Sequence, residues 1–204
     1  THYLLIDGLL KPDALQQLHG RSENLDIEPL YLGTRWANFK EQGPILVQTS
    51  TPLRQAWQTD PQWQGCASLL ASRAPLLEIA NHLRHFICPP DALGNASLLR
   101  FSDPVIMHFW FSSFDTGQLD RTLGPVEQLS VIEPQQPWQP PDKTLATFRV
   151  SGERQPWEAG FALQGAAQLE AFEQATVFVF PQRPHDWLTR RSDYARVRKA
   201  VGLW

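Results

Sequence analysis

Cysteine and long apolar runs are scarce in this sequence. Two cysteines, Cys66 and Cys88, occur in 204 residues, which excludes a disulfide framework and favours a reducing compartment. The longest apolar runs, at residues 105–111 and 177–180, are far shorter than the ~18 residues that cross a bilayer. We therefore expect a soluble cytoplasmic protein without a membrane partner.

Familiar catalytic and cofactor motifs are missing as well. The sequence has no glycine-rich phosphate loop, nucleophile elbow, metalloprotease helix or Cys-x-x-Cys pair. His82, His85 and Cys88 follow one another at three-residue spacing, with Cys66 upstream. Ligands at that spacing rotate by about 60° per step around a helix and do not all converge. We expect no metal, no cofactor and no enzymatic activity.

Charge is low and unevenly distributed. Charged residues make up 19% of the sequence, and the net charge of −3 divides into −7 for residues 1–182 and +4 for residues 183–204. The basic excess is either the solvated face of a terminal helix or a patch that binds nucleic acid or an acidic partner. Both signs occur in this segment and no aromatic ladder accompanies them, which favours the solvated face and argues against nucleic acid. Its members are Arg183, Arg190, Arg191, Arg196, Arg198 and Lys199.

Short apolar runs that alternate with helical segments predict an α/β fold. The predicted strands lie at residues 3–6, 29–32, 45–48, 67–71, 96–101, 126–132 and 144–150. Helix start signals occur at residues 11–13, Thr34, residues 51–52, Pro75 and residues 103–104. We predict an α/β lobe at residues 1–152, with a mixed sheet flanked by helices.

A small, mainly helical C-terminal lobe is predicted at residues 153–204. Residues 165–175 have helical composition. Residues 176–180 are β-branched and aromatic, and they fit either an extension of that helix or a strand. A proline-rich loop, residues 133–142, joins the last two predicted strands of the first lobe.

The helix predicted at residues 103–114 has two apolar faces. At about 100° per residue, one face and the nearly opposite one are both apolar. The first consists of Val105, Ile106 and Phe109. The second, with its flank, consists of Met107, Trp110, Phe111 and Phe114. One face can pack on the sheet, so the other needs a cover, either the C-terminal lobe or a partner.

Arg100 lies within an apolar segment just before the helix cap Asp103. Its guanidinium either pairs with a carboxylate inside the fold or binds a ligand. Internal pairing is favoured, because a buried arginine needs a partner.

Six segments in series carry a resemblance to a known family. They are residues 3–8 (YLLIDG), 28–33 (EPLYLG), 43–47 (GPILV), 76–84 (LLEIANHLR), 99–104 (LRFSDP) and 123–126 (LGPV). In this order and spacing, the sequence resembles the type VI secretion effector chaperone or adaptor domain, catalogued as domain of unknown function 4123. Ser102 departs from the family pattern, in which an aromatic residue is common at this position.

The resemblance implies a non-enzymatic adaptor with an α/β N-terminal lobe and a variable helical C-terminal lobe. Such adaptors act in the cytoplasm of Gram-negative bacteria, where they bind a cognate toxin effector and help load it onto a VgrG or PAAR spike protein. The C-terminal lobe of this chain is short for the family.

We predict that the effector binds in a groove between the two lobes. The residues predicted to line it are Arg84, Arg100, Met107, Trp110, Phe111 and Phe114. For the four apolar members, a core between the lobes is the alternative interpretation. Two other functions stay open: a small metal-dependent hydrolase that uses His185 and Asp186, and a nucleic-acid-binding protein that uses the basic C-terminal segment.

Overall fold

The computed structural model describes residues 1–88, 98–134 and 144–152. Within these ranges, six strands form one sheet and six α-helices pack on its two sides. The strands are β1 (His2–Asp7), β2 (Ile27–Pro29), β3 (Pro44–Gln48), β4 (Ala67–Ala71), β5 (Gln128–Ile132) and β6 (Leu145–Arg149). The helices are α1 (Ala14–His19), α2 (Thr51–Thr59), α3 (Pro61–Cys66), α4 (Leu76–Arg84), α5 (Pro104–Ser112) and α6 (Thr116–Leu123).

The strand order is β2-β3-β1-β4-β5-β6. Every neighbouring pair among the described strands is antiparallel. β3 and β4 run in the same direction, but β1 lies between them, so that α2 and α3 cross over a strand that opposes both. The predicted α/β lobe with a helix-flanked sheet is confirmed. The expected mixed pairing is not found among these strands, because β1 separates the two that are parallel in direction.

Polar side chains at the N-terminal caps of two helices accept hydrogen bonds from backbone N–H groups of the first turn. Asp103 accepts a hydrogen bond from the backbone N–H of Val105 at 3.0 Å, and proline occupies the first turn of α5. Ser50 caps α2 in the same way, through the backbone N–H of Leu53 at 3.1 Å. These local bonds explain why helices begin at two of the predicted start signals.

Two predicted elements are wrong, and the strand predicted at residues 29–32 lies instead at Ile27–Pro29, with a turn at residues 30–32. Thr34 starts no α-helix; its hydroxyl donates to the carbonyl of Tyr31, and a single 3-10 turn follows at Ala37–Phe39. The strand predicted at residues 96–101 falls partly outside the described residues, and its described part, residues 98–101, is not a strand. The N–H of Leu99 bonds to the carbonyl of Ile87, a loop contact rather than a sheet ladder.

The sheet has one apolar core on each side. We call the side of Tyr3 and Leu5 the front face and the side of Leu4 and Ile6 the back face. Helices α4, α5 and α6 pack buried side chains into the front-face core, whereas α1, α2 and α3 pack theirs into the back-face core. This arrangement follows from strand geometry, since successive side chains of β1 point to opposite faces.

The described helices include none with the length and apolar character that a bilayer span requires. The predicted C-terminal lobe lies outside the described residues. So do residues 176–180, His185, Asp186 and the basic segment, and the boundary near residue 152 stays a prediction.

Candidate functional site

Arg100 forms a buried ion-pair cluster at the end of β1. Its Nη2 lies 3.0 Å from Oδ1 of Asp7 and 3.5 Å from Oδ2 of Asp103. The side chains of Arg100 and Asp7 are only 6% and 3% exposed. Internal pairing of this arginine is therefore what the structure shows, and the guanidinium is turned away from solvent.

Asp7 is the centre of this cluster, and its carboxylate accepts several hydrogen bonds. Oδ1 accepts from the backbone N–H groups of Leu9 and Leu10 at 2.9 and 3.0 Å. Oδ2 accepts from the hydroxyl of Ser102 at 2.9 Å. A buried carboxylate is tolerated when it is paired and hydrogen-bonded in this way. Ser102, the departure from the family pattern, thus contributes a bond that a phenylalanine at this position would not supply.

Arg84 is also committed to internal contacts. Its Nη2 forms an ion pair with Oε1 of Glu28 in β2, and its Nε donates to the carbonyl of Leu30 at 3.2 Å. Nη1 donates to the side chain of Asn81 at 2.9 Å. The side chain keeps 21% exposure. Arg84 therefore fastens α4 to β2, while Arg100 is held at β1, and the two arginines share no acceptor in these contacts.

The four apolar residues of the predicted groove do lie together, on the front face. Met107, Trp110 and Phe111 are buried, and Phe114 is half-buried against them. The ring of Trp110 lies edge-on to those of Phe86 and Phe111, with centroids 5.2 Å away in each case. Such edge-to-face contacts are favourable ring geometries. The described part of the chain thus uses these side chains as core.

The other apolar face of α5 is less buried. Val105, Ile106 and Phe109 are half-buried, and the last two pack against the edge of the front-face core. The structure thereby decides which of the two apolar faces meets the sheet. The prediction that the Met107 side contacts a partner stays a prediction, and any substitution there first disturbs the core.

His82 is a buried titratable group beside this cluster. Its Nε2 lies 2.8 Å from the carbonyl oxygen of Thr122, and because a carbonyl only accepts, Nε2 carries the hydrogen. Burial lowers the pKa of His82 to about 4. Gly124 lies directly against the imidazole with a φ of 55°, and a methyl group there would collide with the ring. The histidine is neutral at pH 7 and acts as part of the core.

The four side chains considered above as metal ligands, those of Cys66, His82, His85 and Cys88, do not all lie together. Cys66 packs in the back-face core, whereas His82 is on the front-face helix α4. Burial raises the pKa of the Cys66 thiol to about 12, so the thiolate that a metal needs is disfavoured. Within residues 1–88, 98–134 and 144–152, no group of three or more His, Cys, Asp or Glu side chains is placed to hold a metal ion.

Asp7 and Glu28 are the residues that sequence reasoning missed. Asp7 reads as the end of a strand, and Glu28 as part of a family motif. A signal for Asp7 exists in hindsight, since it follows Tyr3 and Leu5 at the two-residue spacing that defines one face of a strand. A carboxylate on that apolar face predicts a buried cation, although the spacing does not say which one.

Comparison with known proteins gives one family and one curated relative. The family model described as "Domain of unknown function (DUF4123)" matches residues 2–121. The chain is 34% identical over 102 residues to the "Accessory protein VasW" of Vibrio cholerae serotype O1 (strain ATCC 39315 / El Tor Inaba N16961). That alignment covers 50% of this chain and 34% of the relative, so the chain spans about a third of the protein it matches. No solved structure matches the chain significantly.

Proposed function

Since the chain belongs to the DUF4123 family, we propose that it is a chaperone or adaptor of type VI secretion. In this proposal it binds a cognate toxin effector in the cytoplasm and helps load it onto a VgrG or PAAR spike protein. It catalyses no reaction and needs no cofactor. The family match confirms the resemblance found in the six sequence segments. Toxin binding and loading onto the spike are what we propose.

The observation that carries the proposal is the extent of the family match. It covers residues 2–121, which include the four strands β1 to β4, the helices α1 to α5 and most of α6. A relative in Vibrio cholerae bears the name of an accessory protein. Together these support a role in type VI secretion, and an accessory role agrees with a binding function.

The geometry of the described part also favours binding over catalysis. Arg84, Arg100 and Asp7 are each engaged in contacts within the fold. The buried histidine His82 bonds to a backbone carbonyl. Side chains that are bonded inside the fold stabilise it. A partner therefore binds through other side chains, at the surface. Of the six residues predicted to line the groove, Phe114 and Arg84 keep accessible area.

Co-expression tests the proposal. The full chain, carrying an affinity tag, is co-expressed with each product of the neighbouring genes and purified in high salt. We expect one toxin to co-purify at a fixed ratio and to be soluble only in the presence of this chain. Purification of the chain alone in every pairing would contradict the adaptor function.

The same preparation separates the alternatives. Binding to nucleic acid would fall steeply as salt rises, and a metal-dependent hydrolase would carry a stoichiometric metal. Phe114→Ala tests the predicted groove and should weaken toxin recovery. Because Phe114 also packs on the front-face core, urea unfolding of the variant must show that the fold is kept. Leu77→Ala is the control for an exposed apolar side chain, since Leu77 is an exposed leucine of α4. Equal recovery with both variants would remove Phe114 from the partner surface without affecting the adaptor proposal.

A further inference from the structure

The two edges of the described sheet are protected to different degrees. β2 has only three residues and ends at Pro29, and Arg84 donates to the carbonyl of the next residue, Leu30. Short strands and proline are devices that keep an edge from pairing with another strand. β6 has five residues without proline, and Leu145 at its start is 46% exposed. Among the described strands, β6 is therefore the edge that has neither of these two protections.

The outward backbone groups of β6 can be identified from its bonds to β5. The N–H of Val150 donates to the carbonyl of Glu127 at 3.2 Å, and the carbonyl of Thr144 accepts from the N–H of Glu133 at 2.9 Å. Successive residues of an antiparallel strand alternate between pointing toward and away from the neighbouring strand. The residues of β6 whose N–H and C=O groups point away from β5 are Leu145, Thr147 and Arg149.

We propose that this edge pairs with the same edge of a second copy of the chain, in an antiparallel register centred on Thr147. Thr147 is the middle residue of β6. A two-fold axis at this residue pairs Thr147 with itself and Leu145 with Arg149 of the partner subunit. Every outward residue of β6 then exchanges both of its backbone hydrogen bonds. An axis at Ala146 or Phe148 would leave one outward residue without a partner inside β6.

The side chains that this register brings opposite each other are compatible. On the front face, the half-buried ring of Phe148 lies opposite the small Ala146 of the partner subunit, which leaves room for it. On the back face the two copies of Thr147 meet, and threonine pairs across strands are favourable. The exposed Leu145 lies along the aliphatic part of Arg149 of the partner subunit.

The charge on β6 is placed where it does not oppose this pairing. Arg149 is the charged residue of the strand, and its Nε donates to Oε1 of Gln128 at 3.0 Å, which draws the guanidinium over β5 and away from the edge. The two copies of Arg149 lie at opposite ends of the paired strands, about 14 Å apart at ~3.4 Å per residue. That distance exceeds the Debye length of about 8 Å at physiological salt, so their repulsion is screened.

The apolar rim of the front-face core runs along the same edge. The ring centroid of Phe148 lies 5.7 Å from that of Phe111, and Leu119 of α6 and Val150 are half-buried against the same core. The two-fold axis is perpendicular to the sheet, so the front faces of both copies lie on one side and their apolar rims are adjacent. Burial of this rim adds a hydrophobic contribution to the backbone hydrogen bonds of the paired edges.

Mass measured at increasing concentrations of the full chain tests this inference. Light scattering coupled to gel filtration should show a mass that rises from that of one copy to that of two. Thr147→Pro removes an outward N–H from each copy without removing a bond to β5, because proline is tolerated at such an edge position. It should raise the dissociation constant of the dimer about tenfold or more. The matched control Thr147→Val keeps the N–H and the preference for strands, and it should dimerise as the unmodified chain does.

A pair of charge variants tests the position of the axis and does not depend on proline. Thr147→Lys and Thr147→Glu each place two like charges directly opposite each other, so each should weaken the dimer. A mixture of the two variants places opposite charges there and should form a dimer more tightly than either variant alone. Thr59→Lys is the control, because Thr59 is an exposed threonine at the end of α2, and it should leave the dimer unchanged.

A mass of one copy at every concentration would overturn the inference, and so would a dimer that survives Thr147→Lys. Residue-resolved amide hydrogen exchange locates the contact in the unmodified chain. The outward amides of Leu145, Thr147 and Arg149 should become protected as the concentration rises. Protection that does not depend on concentration would also overturn the inference, because another part of the same chain would then cover the edge.

Discussion

The front and back faces of the sheet are both densely packed, but they differ in what they bury. The front face encloses ionisable groups: the Arg100 cluster with Asp7, and the neutral His82. The back-face core is aliphatic and aromatic, with the thiol of Cys66 as its weakly polar member and Trp57 as its largest side chain. Its one nearly buried cation among the described residues, Lys11, lies over the ring of Trp63 with Nζ 4.9 Å from the centroid. The front face should therefore respond to pH and to loss of charge, whereas the back face should respond mainly to loss of packing.

This difference also explains where the residues predicted to bind a partner lie in the structure. All six residues assigned to a partner groove lie on front-face helices or in the loops that flank α5. In the structure the two arginines tie α4 to β2 and the loop before α5 to β1, and the aromatic side chains fill the front-face core. Polar residues in an apolar context are thus as much a sign of a buried network as of a binding site.

The largest effect is expected from Arg100→Met. It removes the cation and leaves two carboxylates, Asp7 and Asp103, buried without it. Breaking a buried pair from one side costs about 3–5 kcal/mol. Urea unfolding followed by tryptophan fluorescence measures the loss in free energy of unfolding.

Arg73→Met is the matched control for that substitution. Arg73 pairs with Glu127 at 3.3 Å, but its side chain is 91% exposed. Exposed pairs contribute about 1 kcal/mol or less. Similar losses in the two variants would contradict the buried role of Arg100.

The second prediction concerns pH and the front face. The pKa of His82 is lowered to about 4 in the folded chain, from 6.5. Between these values the unfolded chain binds a proton that the folded chain does not, so stability falls as pH is lowered from 7 to 4. The full effect of this single histidine is about 3 kcal/mol.

The measurement is urea unfolding at a series of pH values between 4 and 7. His82→Gln should flatten the pH dependence, because an amide can still donate to the carbonyl of Thr122 but does not titrate in this range. Burial also lowers the pKa of His108, so a smaller dependence of the same sign should remain. An unchanged slope in His82→Gln would show that His82 is not the titrating group.

The smallest effect is expected on the back face, from Trp57→Phe. The indole Nε1 of Trp57 donates to the carbonyl of Ala67 at 2.9 Å in a fully buried setting. Loss of this bond and of part of the buried ring should together cost about 2 kcal/mol. The cost should be the same at pH 5 and pH 7, because neither group titrates there. If the loss in free energy of unfolding depended on pH, it would contradict the distinction between the two faces.

Sequence reasoning recovered the local features of the fold. The predicted cap Asp103 does accept the bond from the N–H of Val105, and the strand predictions at residues 67–71 and 45–48 agree with β4 and β3. The strand expected near Arg100 fails because its apolar residues fill the front-face core from a loop. An apolar run of that length predicts burial, and burial does not require a strand.

The candidate site was predictable in kind but not in detail. An internal partner for Arg100 followed from its apolar surroundings, yet that partner, Asp7, is 93 positions away in sequence. Similarly, Glu28 and Arg84 are 56 positions apart. No local pattern connects such residues, because their contact depends on the order of strands in the sheet.

The sequence by itself determined where α1, α2, α4 and α5 begin, which segments are apolar, and to which family the chain belongs. Those properties depend on side-chain and backbone contacts within a few residues, and on motifs in a fixed order. The tertiary structure alone decided that the Met107 side of α5, rather than the Val105 side, packs against the sheet. Both faces are apolar, so their periodicity is equivalent, and only packing against β5 and β6 distinguishes them.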